Sequence, residues 1–307
     1  MGKTLLVALG GNALLKPGQK GTAAQHVQNV DRVAEHLANL HNRGFRLVLT
    51  HGNGPQVGNI LLQQEKARDY APPLPLHVCV AQSQGMIGSF LQEALYNKLH
   101  ARGFRVPVVT VVTQVLVDRD DPAFSHPTKP VGPYYPTRDR MDPRWKVIRT
   151  VKGFRRVVPS PRPKEIVEAA EIRKISRQAI VIAAGGGGVP VVRERGLRGV
   201  DAVIDKDLTA AKLAEAVQAD ILAILTDVDY VYLHYKQPNQ KHLEKVTLDE
   251  LQKYQAAGHF PPGSMGPKVQ AAIRFLQRGG GKVIITSLDR LEDAIDGEWG
   301  TVVTKNK

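Results

Sequence analysis

The chain has 307 residues, 42% hydrophobic and 23% charged, the balance of an ordinary globular protein with one large α/β domain or two average ones. Its 42 basic and 29 acidic side chains leave a net charge of +13, which favours anionic partners, but no dense Lys/Arg run with interleaved aromatics signals a nucleic-acid surface. The single Cys79 excludes an intrachain disulfide and fits a reducing compartment, no run approaches the roughly 18 apolar residues of a membrane span, and the N-terminus has no signal-peptide layout.

Leu5-Leu6-Val7-Ala8-Leu9 reads as a buried strand ending in a tight turn at Gly10-Gly11-Asn12. Val27, Val30, Ala34, Leu37 and Leu40 form one helical face, stopped by Gly44. A second strand over 45–50 runs into His51-Gly52-Asn53-Gly54-Pro55, and Val57 and Leu61 suggest a helix directly after it. Pro72, Pro73 and Pro75 interrupt the pattern; a helix over 81–99 and a buried strand over 106–112 follow. Strands alternating with helices argue for a parallel α/β sheet.

Residues 118–163 differ in character. They are rich in proline, arginine and lysine, and hold Tyr134, Tyr135 and Trp145 without a helical period. This stretch reads as an insertion outside the main sheet, with small strands of its own. The α/β pattern then resumes with a helix from Lys164, a strand over 179–184 running into Gly185-Gly186-Gly187-Gly188, and a hairpin over 191–203. A helix over 206–219, a strand over 221–226 leading to Asp227, a helix at Lys268, a strand over 282–286 and an edge strand over 300–304 complete the chain.

Three glycine-rich turns follow apolar strands, at Gly10-Gly11-Asn12, Gly52-Asn53-Gly54 and Gly185 to Gly188. Ligands of open α/β sheets bind beyond the carboxyl ends of the strands, where small turns let backbone amides approach oxyanions. Glycine is also the ordinary way to leave a strand. No G-x-x-x-x-G-K-[ST] or completed G-x-G-x-x-G occurs, which excludes a P-loop and disfavours a Rossmann dinucleotide site. The ten histidines show no metal-ligand spacing, so no protein-held metal is expected.

Three lysines stand out. Lys206 lies between Asp205 and Asp207 at a helix start; the acids could simply cap the helix, or an aspartate could hold lysines aimed at a phosphate. Lys268 follows Gly263-Ser264-Met265-Gly266-Pro267, with Pro267 suited to the first helical position; the stretch is either a flexible loop or an anion site. Lys129 sits among Pro127, Pro130 and Pro133, in a rigid linker or a stiff lid.

Taken in order, several stretches resemble the carbamate kinases of the amino-acid kinase superfamily nearly end to end. They are Val7 to Leu14, His51 to Gly58, Gln84 to Gly88, Asp121 to Phe124, Pro127 to Pro133, Arg155 to Pro161, Ala202 to Asp207 and Gly263 to Lys268. The resemblance implies a single domain over 1–307: a three-layer αβα sandwich around a mostly parallel sheet of about eight strands. An N-terminal lobe over 1–178 would take carbamoyl phosphate and carry a protruding lid over 118–157. A C-terminal lobe over 179–307 would take the nucleotide.

The implied reaction is reversible phosphoryl transfer between ATP and carbamate, giving ADP and carbamoyl phosphate, with Mg²⁺ carried by the nucleotide. A cytoplasmic homodimer, often serving arginine catabolism, is expected, with neither nucleic-acid nor membrane partners. By resemblance, Gly10, Gly11, Asn12, Gly52, Asn53 and Gly54 cradle the carbamoyl phosphate. Lys206 and Lys268 neutralise the moving phosphoryl group, Asp207 organises them, and Lys129 reaches in from the lid. Gly187, Gly188, Asp227, Tyr232, Met265 and Lys268 belong to the nucleotide side. Acetylglutamate kinases place a lysine two residues before the Gly-Gly; Ala8 stands there, which favours carbamate over an amino-acid substrate. Other kinases of the superfamily and a non-catalytic RNA-binding protein on the same fold are the alternatives.

Overall fold

The strand Thr4–Leu9 is buried along its whole length, and its side chains alternate between two cores. Leu5, Val7 and Leu9 enter one; Leu6 and Ala8 enter the other. That is the period of two of a strand, and apolar residues on both faces mark a central parallel strand covered on each side. In this computed structural model, which describes residues 2–305, Met1, Asn306 and Lys307 at the ends of the expected domain lie outside the described residues.

Thr4–Leu9 sits inside an eight-stranded sheet. The order is Lys245–Thr247, Thr301–Thr304, Lys282–Thr286, Ile221–Leu225, Thr4–Leu9, Arg46–His51, Ile180–Ala183, Val108–Val111. From Lys282–Thr286 to Val108–Val111 every pairing is parallel. Thr301–Thr304 runs antiparallel to its neighbour and carries Lys245–Thr247 parallel to itself. One face is covered by Ala23–Asn42, Leu76–Ala101 and Leu291–Asp296, the other by Ala169–Ile175, Lys206–Ala216, Leu248–Ala256 and Met265–Gln277. This is the expected αβα sandwich. Ala23–Asn42 is started by a capping box, with the Thr22 hydroxyl and the Gln25 side chain each satisfying the other's backbone amide. Its Val30, Val33, Ala34 and Leu37 are buried at helical spacing, the valines and the leucine each contributing roughly 1.5–3 kcal/mol of burial.

The insertion folds as expected into small strands. Lys129–Tyr135, Gly153–Val158 and Val147–Thr150 form a three-stranded antiparallel sheet, and Gly132 rests on Gly58 of the helix Gly54–Ala67. A four-stranded sheet of Leu197–Gly199, Val189–Arg193, Gln114–Val117 and Pro163–Ile166 joins it to the sandwich.

Three local expectations change. Lys164 lies in the strand Pro163–Ile166, not in a helix; the helix is the shorter Ala169–Ile175, and the Glu168 carboxylate before it accepts from the Gln114 amide. Thr301–Thr304 is not the edge, because Lys245–Thr247 lies outside it. Met265–Gln277 begins two residues before Pro267, which therefore occupies the third helical position, still among the amides that need no intrahelical partner. Ile180–Ala183, which follows position 178, pairs with Arg46–His51 on one side and Val108–Val111 on the other.

Candidate active site

Parallel strands end together, so Leu9, His51, Ala183 and Leu225 bring their following turns to one rim of the sheet. The Gly52 amide donates to the Leu9 carbonyl at 3.0 Å, which ties the second turn to the first. A Cβ at Gly52 would stand 3.2 Å from the Gly11 nitrogen and 3.5 Å from Lys206 Cδ, so Gly52 sits against both the first turn and the lysine. Asn53 is the N-cap residue of Gly54–Ala67, and its side-chain amide donates to Ser83 Oγ at 2.8 Å. The third turn packs beneath it: at Gly186, with φ of 65°, a Cβ would lie 2.1 Å from Asn53 Nδ2. Only glycine fits there.

His51, beside Gly185, is fully enclosed, and its Nδ1 donates to the Gly52 carbonyl at 3.0 Å. Burial lowers its pKa from 6.5 to about 4, only partly opposed by that hydrogen bond, and the Lys206 charge adds to the fall. The ring is therefore a neutral support for the turn rather than a cation or a base.

The lysines converge. Asp205 caps the helix Lys206–Ala216, its Oδ1 accepting from the Asp207 amide at 2.9 Å. Asp207, in the first turn, has a side chain only 5% exposed and accepts from Lys206 Nζ at 2.6 Å on one oxygen and from Lys268 Nζ at 2.9 Å on the other. Burial would raise this carboxyl, but the two ammoniums and their hydrogen bonds outweigh it and hold the pKa at about 2. Lys268 reaches the site because Met265–Gln277 packs beside Lys206–Ala216. Both helices thus open beside the same pair of cations, with positive macrodipole ends that favour an anion. From the lid sheet, Lys129 Nζ donates to Asp205 Oδ2 at 3.1 Å. Asp205 thus does more than cap: it also anchors the lid lysine.

Asn12 Nδ2 donates to Asp227 Oδ2 at 2.6 Å, linking the first turn to the end of Ile221–Leu225. A cavity of about 350 Å³ opens there, between Gly10, Asn12, Asp227 and Ser287. Met265 begins its helix and packs on the core beside the two lysine-bearing helices. Tyr232 is on the hairpin of Val231–Leu233 with Lys241–Leu243, its ring 5.7 Å from that of Tyr235. The Gly187 and Gly188 amides donate to the carbonyls of Ala184 and Gly185, and the Gly187 carbonyl accepts from Thr209 Oγ1. Gly187 thus packs the turn onto Lys206–Ala216 and Gly188 packs against Val115, and neither offers a free amide. Among the described residues no group of three or more His, Cys, Asp or Glu could hold a metal ion, and no helix is long and apolar enough to cross a membrane.

The model of the amino acid kinase family matches residues 3–287. A carbamate kinase of Thermococcus kodakarensis is 50% identical, with 99% of each chain covered, and carbamate kinase 1 of Enterococcus faecium is 47% identical, with 99% of this chain and 100% of that one covered. The chain belongs to the amino acid kinase family, among its carbamate kinases.

The structure of carbamate kinase from Giardia lamblia bound to AMP-PNP superposes with a TM-score of 0.94 at 45% identity, covering 99% of both chains. An N-acetylglutamate synthase from Neisseria gonorrhoeae, at 19% identity and a TM-score of 0.61, shares the fold alone. Within this family frame the residues missed by sequence reasoning are the supports. Ser83 gives no sequence signal, because it is one polar residue in a long helix. His51 could have been noticed, since it stands directly before the Gly52 turn at the end of an apolar strand. The second role of Asp205 needed the lid in place.

Proposed function

We propose that the chain transfers a phosphoryl group reversibly between MgATP and carbamate, giving MgADP and carbamoyl phosphate. The observation that carries the reading is the buried Lys206–Asp207–Lys268 cluster at the rim of the sheet, with Lys129 reaching toward it from the lid. Phosphoryl transfer asks the protein mainly to position two substrates and to neutralise charge on the equatorial oxygens. Lys206 and Lys268 meet the transferring group, each with donors to spare beyond its bond to Asp207, since an ammonium has three. Asp207 keeps the two like charges side by side when the site is empty. A carbamate oxygen attacks the γ-phosphorus in line as the bond to ADP breaks, with no covalent enzyme intermediate and no protein base.

The turns at Gly10, Gly11, Asn12, Gly52, Asn53 and Gly54 hold the carbamoyl phosphate, and Lys129 binds its carbamoyl end. Ala8 is fully buried two residues before the first turn, so the strand supplies no cation and the lid does. Asp227, Met265 and Tyr232 belong to the nucleotide side, with Gly187 and Gly188 shaping its floor. Among the described residues no cluster of His, Cys, Asp or Glu competes for Mg²⁺, which arrives with the nucleotide as part of the substrate. A cytoplasmic homodimer acting in arginine catabolism completes the reading. The test is ATP formation by purified protein from ADP, Mg²⁺ and carbamoyl phosphate. Steady turnover is expected with carbamoyl phosphate and little with acetylglutamyl phosphate; no ATP from carbamoyl phosphate would sink the reading.

A further inference from the structure

Between the helix Gly54–Ala67 and the lid sheet lies a cleft that phosphoryl transfer does not use. It has a volume of about 230 Å³, and Leu61, Val131, Pro133 and Trp145 give it mostly apolar walls. Most of its polar wall groups are already partnered. Glu65 accepts from the Tyr135 hydroxyl at 2.5 Å, Asp142 accepts from Arg144 at 2.6 Å, and Arg68 lies 3.7 Å from Asp69. Arg156 is different. Among the described residues its guanidinium makes no hydrogen bond and no ion pair, and it stacks over the Trp145 ring 4.8 Å from the centroid. Burial lowers its pKa, opposed by Asp201, Asp142, Tyr135 and Cys79.

A guanidinium carries five donors in a planar fork that matches a carboxylate. Stacked on an indole, the fork is held in one orientation before any ligand arrives. We propose that this cleft binds a small organic monocarboxylate, with its carboxylate on Arg156 and its apolar body between Leu61, Val131 and Trp145. An inorganic anion would satisfy the cation and leave the apolar walls wet. A neutral apolar molecule would cover the walls and leave the guanidinium unpaired. An acid with an apolar body does both.

The position gives such a ligand leverage. Val131, Pro133 and Tyr135 belong to the strand that starts at Lys129, and Leu61 and Glu65 to the helix that starts at Gly54. The two elements already touch where Gly58 meets Gly132. An acid in the cleft braces the lid strand against the helix beside that contact and restricts how Lys129 moves relative to the substrate turns.

Calorimetric titration of the full chain with benzoate tests the proposal. The expected result is saturable one-to-one binding of benzoate and none of benzyl alcohol. Arg156→Met should weaken benzoate at least tenfold, and Leu61→Trp, which fills the cleft from the helix side, should do the same independently of Arg156. Lys206→Ala should bind benzoate as the unaltered protein does. Absence of saturable binding, equal binding of benzyl alcohol, or benzoate binding that survives Arg156→Met or disappears in Lys206→Ala would overturn it.

Discussion

Replacing Asp207 with asparagine removes one negative charge and almost no volume. In the folded protein that carboxylate joins two ammoniums through bonds of 2.6 and 2.9 Å, with Lys206 and Lys268 side chains 15% and 14% exposed. Asparagine can accept from one lysine and must turn its NH₂ toward the other. Removing one member of a buried ionic group costs about 3–5 kcal/mol; because the lysines border an open rim and can take up water, about 3 kcal/mol is the better figure here. A displaced transition-state donor costs turnover about 10²–10³-fold. The two effects separate in a kinetic experiment, because an anionic substrate partly replaces the missing charge. In Asp207→Asn, kcat for ATP synthesis should fall by roughly 10²-fold or more while KM for carbamoyl phosphate does not rise. Thermal unfolding without substrate should move to lower temperature, and saturating substrate should restore part of the loss. Wild-type kcat together with unchanged unfolding would refute the role given to this carboxylate.

Lys129→Ala removes a charge-assisted contact worth about 1.5–3 kcal/mol, so KM for carbamoyl phosphate should rise roughly 10- to 100-fold with KM for ADP unchanged; an effect on ADP alone would contradict the assignment. Gly186→Ala puts a methyl group 2.1 Å from Asn53 Nδ2 at φ of 65°, and strain with overpacking should destabilise the fold by about 3 kcal/mol and lower activity, readable as a reduced denaturant midpoint. For His51 the folded pKa is depressed, so the unfolded chain binds the extra proton. Stability is complete above pH 6.5 and is lost as pH falls toward about 4, in all about 3 kcal/mol. Asp207 contributes only lower, between its unfolded 3.8 and about 2. Unfolding of the wild type from pH 7 to pH 5 should show the His51 slope, and His51→Asn, whose amide can still donate to Gly52, should flatten it; equal slopes would exclude this histidine.

The alternation of Leu5, Val7 and Leu9 against Leu6 and Ala8 made the central strand legible, because a strand buried on both faces leaves an unbroken apolar run. The turns after it were legible for the same reason: each run stops at glycine. Partnership was legible only through the resemblance, which put Asp207 between Lys206 and Lys268; the lysines are 62 positions apart, so spacing alone does not join them, and the packing of their two helices does. The helix expected from Lys164 failed because four residues of mixed polarity have no decisive period, and pairing with Gln114–Val117 settled the matter. Gly187 and Gly188 were put close to phosphate by resemblance; their amides donate within the turn, to the Ala184 and Gly185 carbonyls. Tyr232 was assigned by resemblance, and its hairpin placement with Tyr235 has no counterpart in sequence spacing.

The most direct measurement is turnover of Lys206→Ala and of Lys268→Ala, each at saturating MgADP and carbamoyl phosphate, in the direction of ATP synthesis. Each lysine is a fixed donor to the moving phosphoryl group, so the expected result is a fall of roughly 10²–10³-fold for either variant with the fold intact by circular dichroism. Wild-type turnover in either one would contradict the claim that paired ammoniums carry this chemistry.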